Sequence, residues 1–144
     1  VLSDYDNDPV KERIKLVVGE DEEGKPVELV VFPAKKGGET QAVAYSAAAK
    51  GYHDLIEVMV GVDPEGTLTG ISIMTHTETP GLGARIVEPG FTAQFAGLDL
   101  ETAKLSAEGG KVDALSGATF STMGVITAVD TALEEFPQIK KEIF

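Results

Sequence analysis

From Ile14 the chain alternates apolar and polar residues, with Ile14, Leu16 and Val18 on one side, as a half-buried strand does. The alternation stops at a turn from Glu20 to Pro26 that contains Gly24, and an apolar run resumes from Val27 to Phe32. A hairpin is expected there. Pro33 and the Lys35-Lys36-Gly37-Gly38 stretch should end it, with the paired lysines on a solvated loop tip. Gln41 to Lys50 leaves helix and strand both open: its alanines favour helix, but the stretch is short and closes at Gly51. Leu55 to Val62 and Leu68 to Met74 are the clearest strands. Ile56, Val58 and Val60 share one face while Leu55 and Met59 make the other apolar too, which suits a pair central in a sheet. Asp63-Pro64-Glu65-Gly66 joins them as a turn, and Gly70 marks a bulge or a close backbone approach.

Beyond that strand the pattern changes. Thr79 before Pro80 reads as a helix cap with proline at the first helical position, and Glu88-Pro89-Gly90 breaks the chain again. Phe91, Phe95 and Leu98 recur at helical spacing and predict a short amphipathic helix. Lys104-Leu105-Ser106 is a short strand candidate, followed by a turn at Glu108-Gly109-Gly110-Lys111. Val125, Ile126, Val129, Leu133 and Phe136 predict a last helix from about Ser121 to Phe136, stopped by Pro137, with a further short helix or tail after it. Strands, a helical stretch, a short strand and a helix predict an α+β fold: a twisted, mostly antiparallel sheet with helices packed against it, in a single domain. Residues 1–12 read as an acidic N-terminal arm or linker and residues 13–144 as the domain.

Composition narrows the function. Twelve basic residues stand against 24 acidic ones, a net charge of −12. That opposes binding to nucleic acid, which rests on basic patches. Between Lys50 and Lys104 the only basic residue is Arg85, so an anion held in that region must depend on backbone dipoles or on a covalent bond. The absence of cysteine excludes disulfides, thiolate metal sites and a thiol nucleophile. His53 sits in an ordinary turn, and His76 with Glu78 makes an H-x-E with no third ligand, so no metal site is expected. No apolar run approaches the roughly 18 to 20 residues that cross a bilayer.

The richest chemistry lies at residues 113–125, D-A-L-S-G-A-T-F-S-T-M-G-V, where Ser116, Thr119, Ser121 and Thr122 crowd with Gly117 and Gly124 just before the last helix. Helix starts favour Ser and Thr as caps, so a capped helix would use the same residue types. A hydroxyl-rich turn at a helix N-terminus also gathers free N–H groups and the positive end of the helix dipole, which suits a phosphate. No lysine follows a glycine, so this is not a Walker loop. Lys104 and Lys111 are the nearest bases in sequence.

The same residues resemble a known motif. D-x-x-S-G-A-T is similar to the flavinylation motif of the FMN-binding domain in the G subunit of the Rnf electron-transport complex and the C subunit of the sodium-translocating NADH:quinone oxidoreductase; the likeness to the Rnf protein is the closer. H-T-E-T-P-G-L-G, about forty residues upstream, resembles the family's second signature, which lies against the flavin. The resemblance implies that FMN is esterified through its phosphate to Thr119, within a seat formed by Asp113, Ser116, Gly117, Ala118 and Thr122. His76, Glu78, Thr79, Leu82 and Gly83 would form a second wall. It also implies a separate magnesium-dependent flavin transferase that uses FAD as donor and recognises Asp113. The domain would then carry electrons, without turnover of its own, in a membrane-bound, ion-translocating redox complex at the periplasmic face of the inner membrane, with any membrane anchor upstream of this chain. Two other functions use the same residues: a non-redox or sensory FMN-binding domain, and an interaction module without cofactor. No Ser-His-acid order or paired-carboxylate spacing supports a hydrolase.

Overall fold

The computed structural model describes residues 5–20, 23–50, 55–75, 83–106, 109–115 and 118–143. Five antiparallel strands, β1 (Ile14–Glu20), β2 (Pro26–Lys36), β3 (Glu39–Lys50), β4 (Leu55–Val62) and β5 (Leu68–Thr75), form one sheet in chain order. After β5 come a 3-10 helix (Gly83–Val87), a single helical turn α1 (Pro89–Thr92), a second 3-10 turn (Ala93–Phe95) and the long helix α2 (Thr119–Ile143). This is the α+β architecture expected from the element order.

Where the polarity alternates, the strands follow the sequence pattern; the departures have local causes. β2 does not stop at Pro33, which pairs with Val43 on β3. Its carbonyl accepts a hydrogen bond from Asn7 Nδ2 at 2.9 Å, so its backbone groups face away from β3. On that side the ladder to β1 has already ended at Ile14–Val31, and no donor is required of the proline. The Asn7 amide also accepts from the Lys35 N–H at 2.7 Å, and Asp6 Oδ2 accepts from Gly37 N–H, which ties the acidic arm to the end of β2. β3 is a strand despite its alanines, because its first half, up to Ala44, pairs with β2 and its second half, Val43 to Lys50, pairs with β4. Tertiary pairing outweighs helix propensity here. β4 is interior as its two apolar faces require, whereas β5 lies at the sheet edge among the described strands. The register slips between Gly61–Gly70 and Val62–Leu68, a bulge beside Gly70. The β4–β5 turn is closed by Asp63, whose Oδ1 accepts from Glu65 and Thr67 N–H, with Gly66 at φ +84°.

The core forms between the sheet and α2, which packs on β3 and β4. Val43, Tyr45, Ile56, Val58 and Val60 meet Val125, Val129, Ala132, Leu133, Phe136 and Ile139 in one buried cluster. The Tyr45 hydroxyl, fully buried, donates to the Ala132 carbonyl at 2.5 Å, and burial raises its pKa. Contrary to the sequence expectation, α2 runs through Pro137 to Ile143. Pro137 removes one backbone hydrogen bond, but Ile139 is completely buried and Ile143 packs on the core, so side-chain burial carries the helix past the break. Phe91 and Phe95, both buried, meet edge to face at 5.6 Å. The expected strand at Lys104–Ser106 is a single bridge, Leu105 to Val112. Around it the loop is tightly closed: a Cβ on Gly110 would lie 2.1 Å from the Lys104 carbonyl oxygen.

Lys104 anchors this loop to α2 through an ion pair with Asp130. The other Asp130 oxygen is buried with no hydrogen-bond partner among the described residues. Burial pushes the Asp130 carboxyl up, against the pull of Lys104, and Glu134 adds to the rise. A carboxyl with a raised folded-state pKa holds its proton more tightly in the folded chain. Its contribution to stability is therefore full below the ordinary value of 3.8 and is lost as pH rises through the raised value. The melting temperature of Asp130→Asn should accordingly gain on that of wild type as pH climbs from about 4 through that window. A difference that stays flat would mean that the Lys104 pairing cancels the effect of burial, and one that falls would mean that it outweighs burial.

Candidate functional site

The hydroxyl-rich segment arrives at α2 through a turn fixed from inside. The Thr122 hydroxyl, completely buried, donates to the Ala118 carbonyl at 2.9 Å and accepts from the Leu115 N–H at 3.2 Å. The Ala118 N–H in turn donates to the Leu115 carbonyl at 2.9 Å, and the Thr122 N–H donates to the Ala118 carbonyl at 3.0 Å. That last bond is the first of the helix, which makes Ala118 its cap residue and Thr119 its first helical residue. An alanine side chain accepts no hydrogen bond, so the cap residue itself offers nothing to the N–H groups of the first turn. A capped helix would put a hydroxyl there; this chain puts it one residue later.

Upstream, Asp113 is held by Gln94. Its N–H donates to Gln94 Oε1 at 2.8 Å, and its carbonyl accepts from Gln94 Nε2 at 3.3 Å. The Asp113 side chain is exposed. The 3-10 helix Gly83–Val87 packs on α2, and Ile86 is buried in the same cluster as Val125 and Val129. The end of the upstream signature, at Gly83, is thus carried on an element that rests against the helix beginning at Thr119. His76, Glu78, Thr79, Leu82, Ser116 and Gly117 lie outside the described residues, as does His53. Of the two bases nearest in sequence, Lys111 is exposed and Lys104 is engaged by Asp130. Asp130 lies eleven residues along α2 from Thr119, about 16 Å at 1.5 Å per residue, so Lys104 serves the middle of the helix rather than its start. No cluster of three or more potential metal ligands occurs among the described residues.

The family model of the FMN-binding domain matches residues 51–134, more than half of the chain and the part that contains both signatures. The chain belongs to the FMN-binding domain family. It is similar to the G subunit of an ion-translocating oxidoreductase complex from Methanosarcina acetivorans, with 36% identity over 115 residues that cover 79% of this chain and 61% of that protein. The corresponding G subunit from Haemophilus influenzae is 35% identical over 134 residues, 88% of this chain and 63% of that protein. The crystal structure of Shewanella oneidensis NqrC has the same fold, with a TM-score of 0.69 and 26% identity over 83% of this chain and 62% of that one. The chain thus spans about three fifths of the length of these relatives.

This FMN-binding domain offers a phosphate the features that its sequence allows and few others. The helix start supplies the positive end of the helix dipole, and Arg85 is the only basic residue between Lys50 and Lys104. Gln94 was not legible as part of the site: it lies 19 residues from Asp113. The one available signal was a polar amide between the two buried phenylalanines of a short helical stretch. Thr122, by contrast, is marked in the sequence as a hydroxyl near the phosphate, and the fold turns that hydroxyl inward onto the turn's own backbone. Thr122→Val should orphan the Leu115 N–H and lower unfolding free energy by about 1–3 kcal/mol, whereas Thr122→Ser should retain most of the stability. Urea denaturation of the three proteins checks this; equal midpoints for Val and Ser would show that the hydroxyl carries none of the effect.

Proposed function

We propose that this domain is the electron-carrying flavoprotein part of a membrane-bound, ion-translocating redox complex, with FMN joined through its phosphate to Thr119. The observation that carries the reading is the position of Thr119: the first residue of a long buried helix whose cap residue, Ala118, cannot cap it, closing an S-G-A-T sequence. The names of the relatives support the wider role, since they are G subunits of ion-translocating oxidoreductase complexes. Among the described residues no helix is long and apolar enough to cross a membrane. In this reading the membrane segment and the other subunits belong to the remainder of a longer assembly, at its extracytoplasmic face.

Flavin, when bound, supplies reversible acceptance and release of electrons; the protein supplies attachment, orientation and surroundings. Thr119 supplies the ester oxygen. Backbone amides at the start of α2 would face the phosphate, beside the buried Ala118. His76, Glu78, Thr79, Leu82 and Gly83 would supply the contacts to the ring or the ribityl chain that the second signature implies. A threonine hydroxyl is a weak nucleophile without a base. A flavin transferase with magnesium and FAD therefore performs the attachment: a bond forms between Thr119 Oγ and the FMN phosphorus, the pyrophosphate bond of FAD breaks, AMP leaves and one proton is released.

Intact mass under denaturing conditions, after co-expression with the transferase, tests the proposal. Wild type should gain the mass of FMN less water on the peptide containing Thr119, and Thr119→Val should fold but gain none. Flavin mass on denatured, dialysed Thr119→Val protein would falsify the assignment.

A further inference from the structure

We propose that Gln94 is a positioning residue for flavin attachment: it holds Asp113 so that the Asp113 carboxylate and Thr119 meet the transferase as one rigid surface. The inference rests on the reading of Thr119 as the attachment residue. Its basis is a two-point clamp. One side-chain amide accepts the Asp113 N–H at 2.8 Å and donates to the Asp113 carbonyl at 3.3 Å, as a neighbouring strand would. The same Nε2 lies 3.4 Å from the Phe91 carbonyl. Gln94 lies in sequence between Phe91 and Phe95, whose rings are buried and in contact, so the short helical stretch that carries it is anchored in the core.

Residues 113–115 and 118 belong to neither helix nor strand. A segment without a ladder of its own samples many backbone conformations unless something else fixes it. Here two side chains do so from opposite ends: Gln94 at Asp113, and Thr122 at Leu115 and Ala118. The Asp113 carboxylate stays exposed while its backbone is pinned, an arrangement that presents a side chain rather than burying it. An enzyme that must grip the Asp113 side chain and bring Thr119 Oγ to the FAD pyrophosphate gains when the two are already held in register.

The test measures flavin transfer from FAD to this chain by the purified transferase with magnesium, varying the concentration of the acceptor protein. Gln94→Leu, which keeps the bulk and loses both bonds, and Gln94→Glu, which keeps the acceptor and loses the donor, should each raise the KM for the acceptor. The expected rise for Gln94→Leu is roughly tenfold, of the order two lost hydrogen bonds permit, with kcat changed far less. Because Gln94 acts through Asp113, Gln94→Leu should add little once Asp113 is alanine, whereas independent effects would multiply. Wild-type KM in both Gln94 variants alongside a lowered melting temperature would assign Gln94 a purely structural role and overturn the proposal. Fully multiplicative effects with Asp113→Ala would overturn it as well. A wild-type chain that takes up no flavin would overturn the Thr119 reading and this inference together, while labelled wild type with unaffected variants would sink only this one.

Discussion

The apolar face of α2 has one surface to lie on, and everything at the candidate site inherits that placement. Val125, Val129, Leu133, Phe136 and Ile139 are spaced for a single side of a helix, and all are buried against residues of β3 and β4. Rotating the helix by one residue, about 100°, would bring polar positions into the core, and each large side chain lost from it costs about 1.5–3 kcal/mol. The azimuth of Thr119 is therefore decided by residues as distant as Ile139. Tyr45 adds a polar check on the same register, because its hydroxyl reaches the Ala132 carbonyl only at one position of the helix.

Much of this was legible in the sequence, for reasons that differ by element. β1, β4 and β5 alternate or carry continuous apolar runs between clear turns, and such local patterns survive in the fold. β3 was not legible, because Ala42, Ala44 and Ala47 to Ala49 fit either element and only hydrogen bonding from both neighbouring strands decides it. The two proline departures share a cause. Pro33 is tolerated because its backbone faces beyond the end of β1, and Pro137 because Ile139 is buried shortly after it; neither fact exists until the chain has folded. At the site, Asp113, Ala118, Thr119 and Thr122 were marked by the D-x-x-S-G-A-T motif and the hydroxyls around it. The direction of the Thr122 hydroxyl and the part played by Gln94 were not, since both depend on contacts between segments.

The acidic balance of the chain acquires a sharper meaning in the fold. A chain with so few cations in its middle cannot place them everywhere, and Lys104, the first base after Arg85, pairs with Asp130 half-way along α2. Backbone dipoles at the helix start orient an anion but do not neutralise it as an ammonium group would. In the proposed reading, covalent attachment to Thr119 would remove the need for such neutralisation, because retention would then depend on a bond rather than on ion pairing.

The proline inside α2 divides the helix into two segments that come apart differently. Residue 137 offers no N–H to the carbonyl of Leu133, so the backbone ladder is interrupted there, and the last turn and a half stays helical through Ile139 and Ile143. Helix ends open and close far more often than the interior, and such opening spreads along continuous hydrogen bonding. Backbone hydrogen bonding thus holds the helix from Thr119 to Phe136 without a break, while the turns beyond Pro137 rest on the burial of Ile139 and the packing of Ile143.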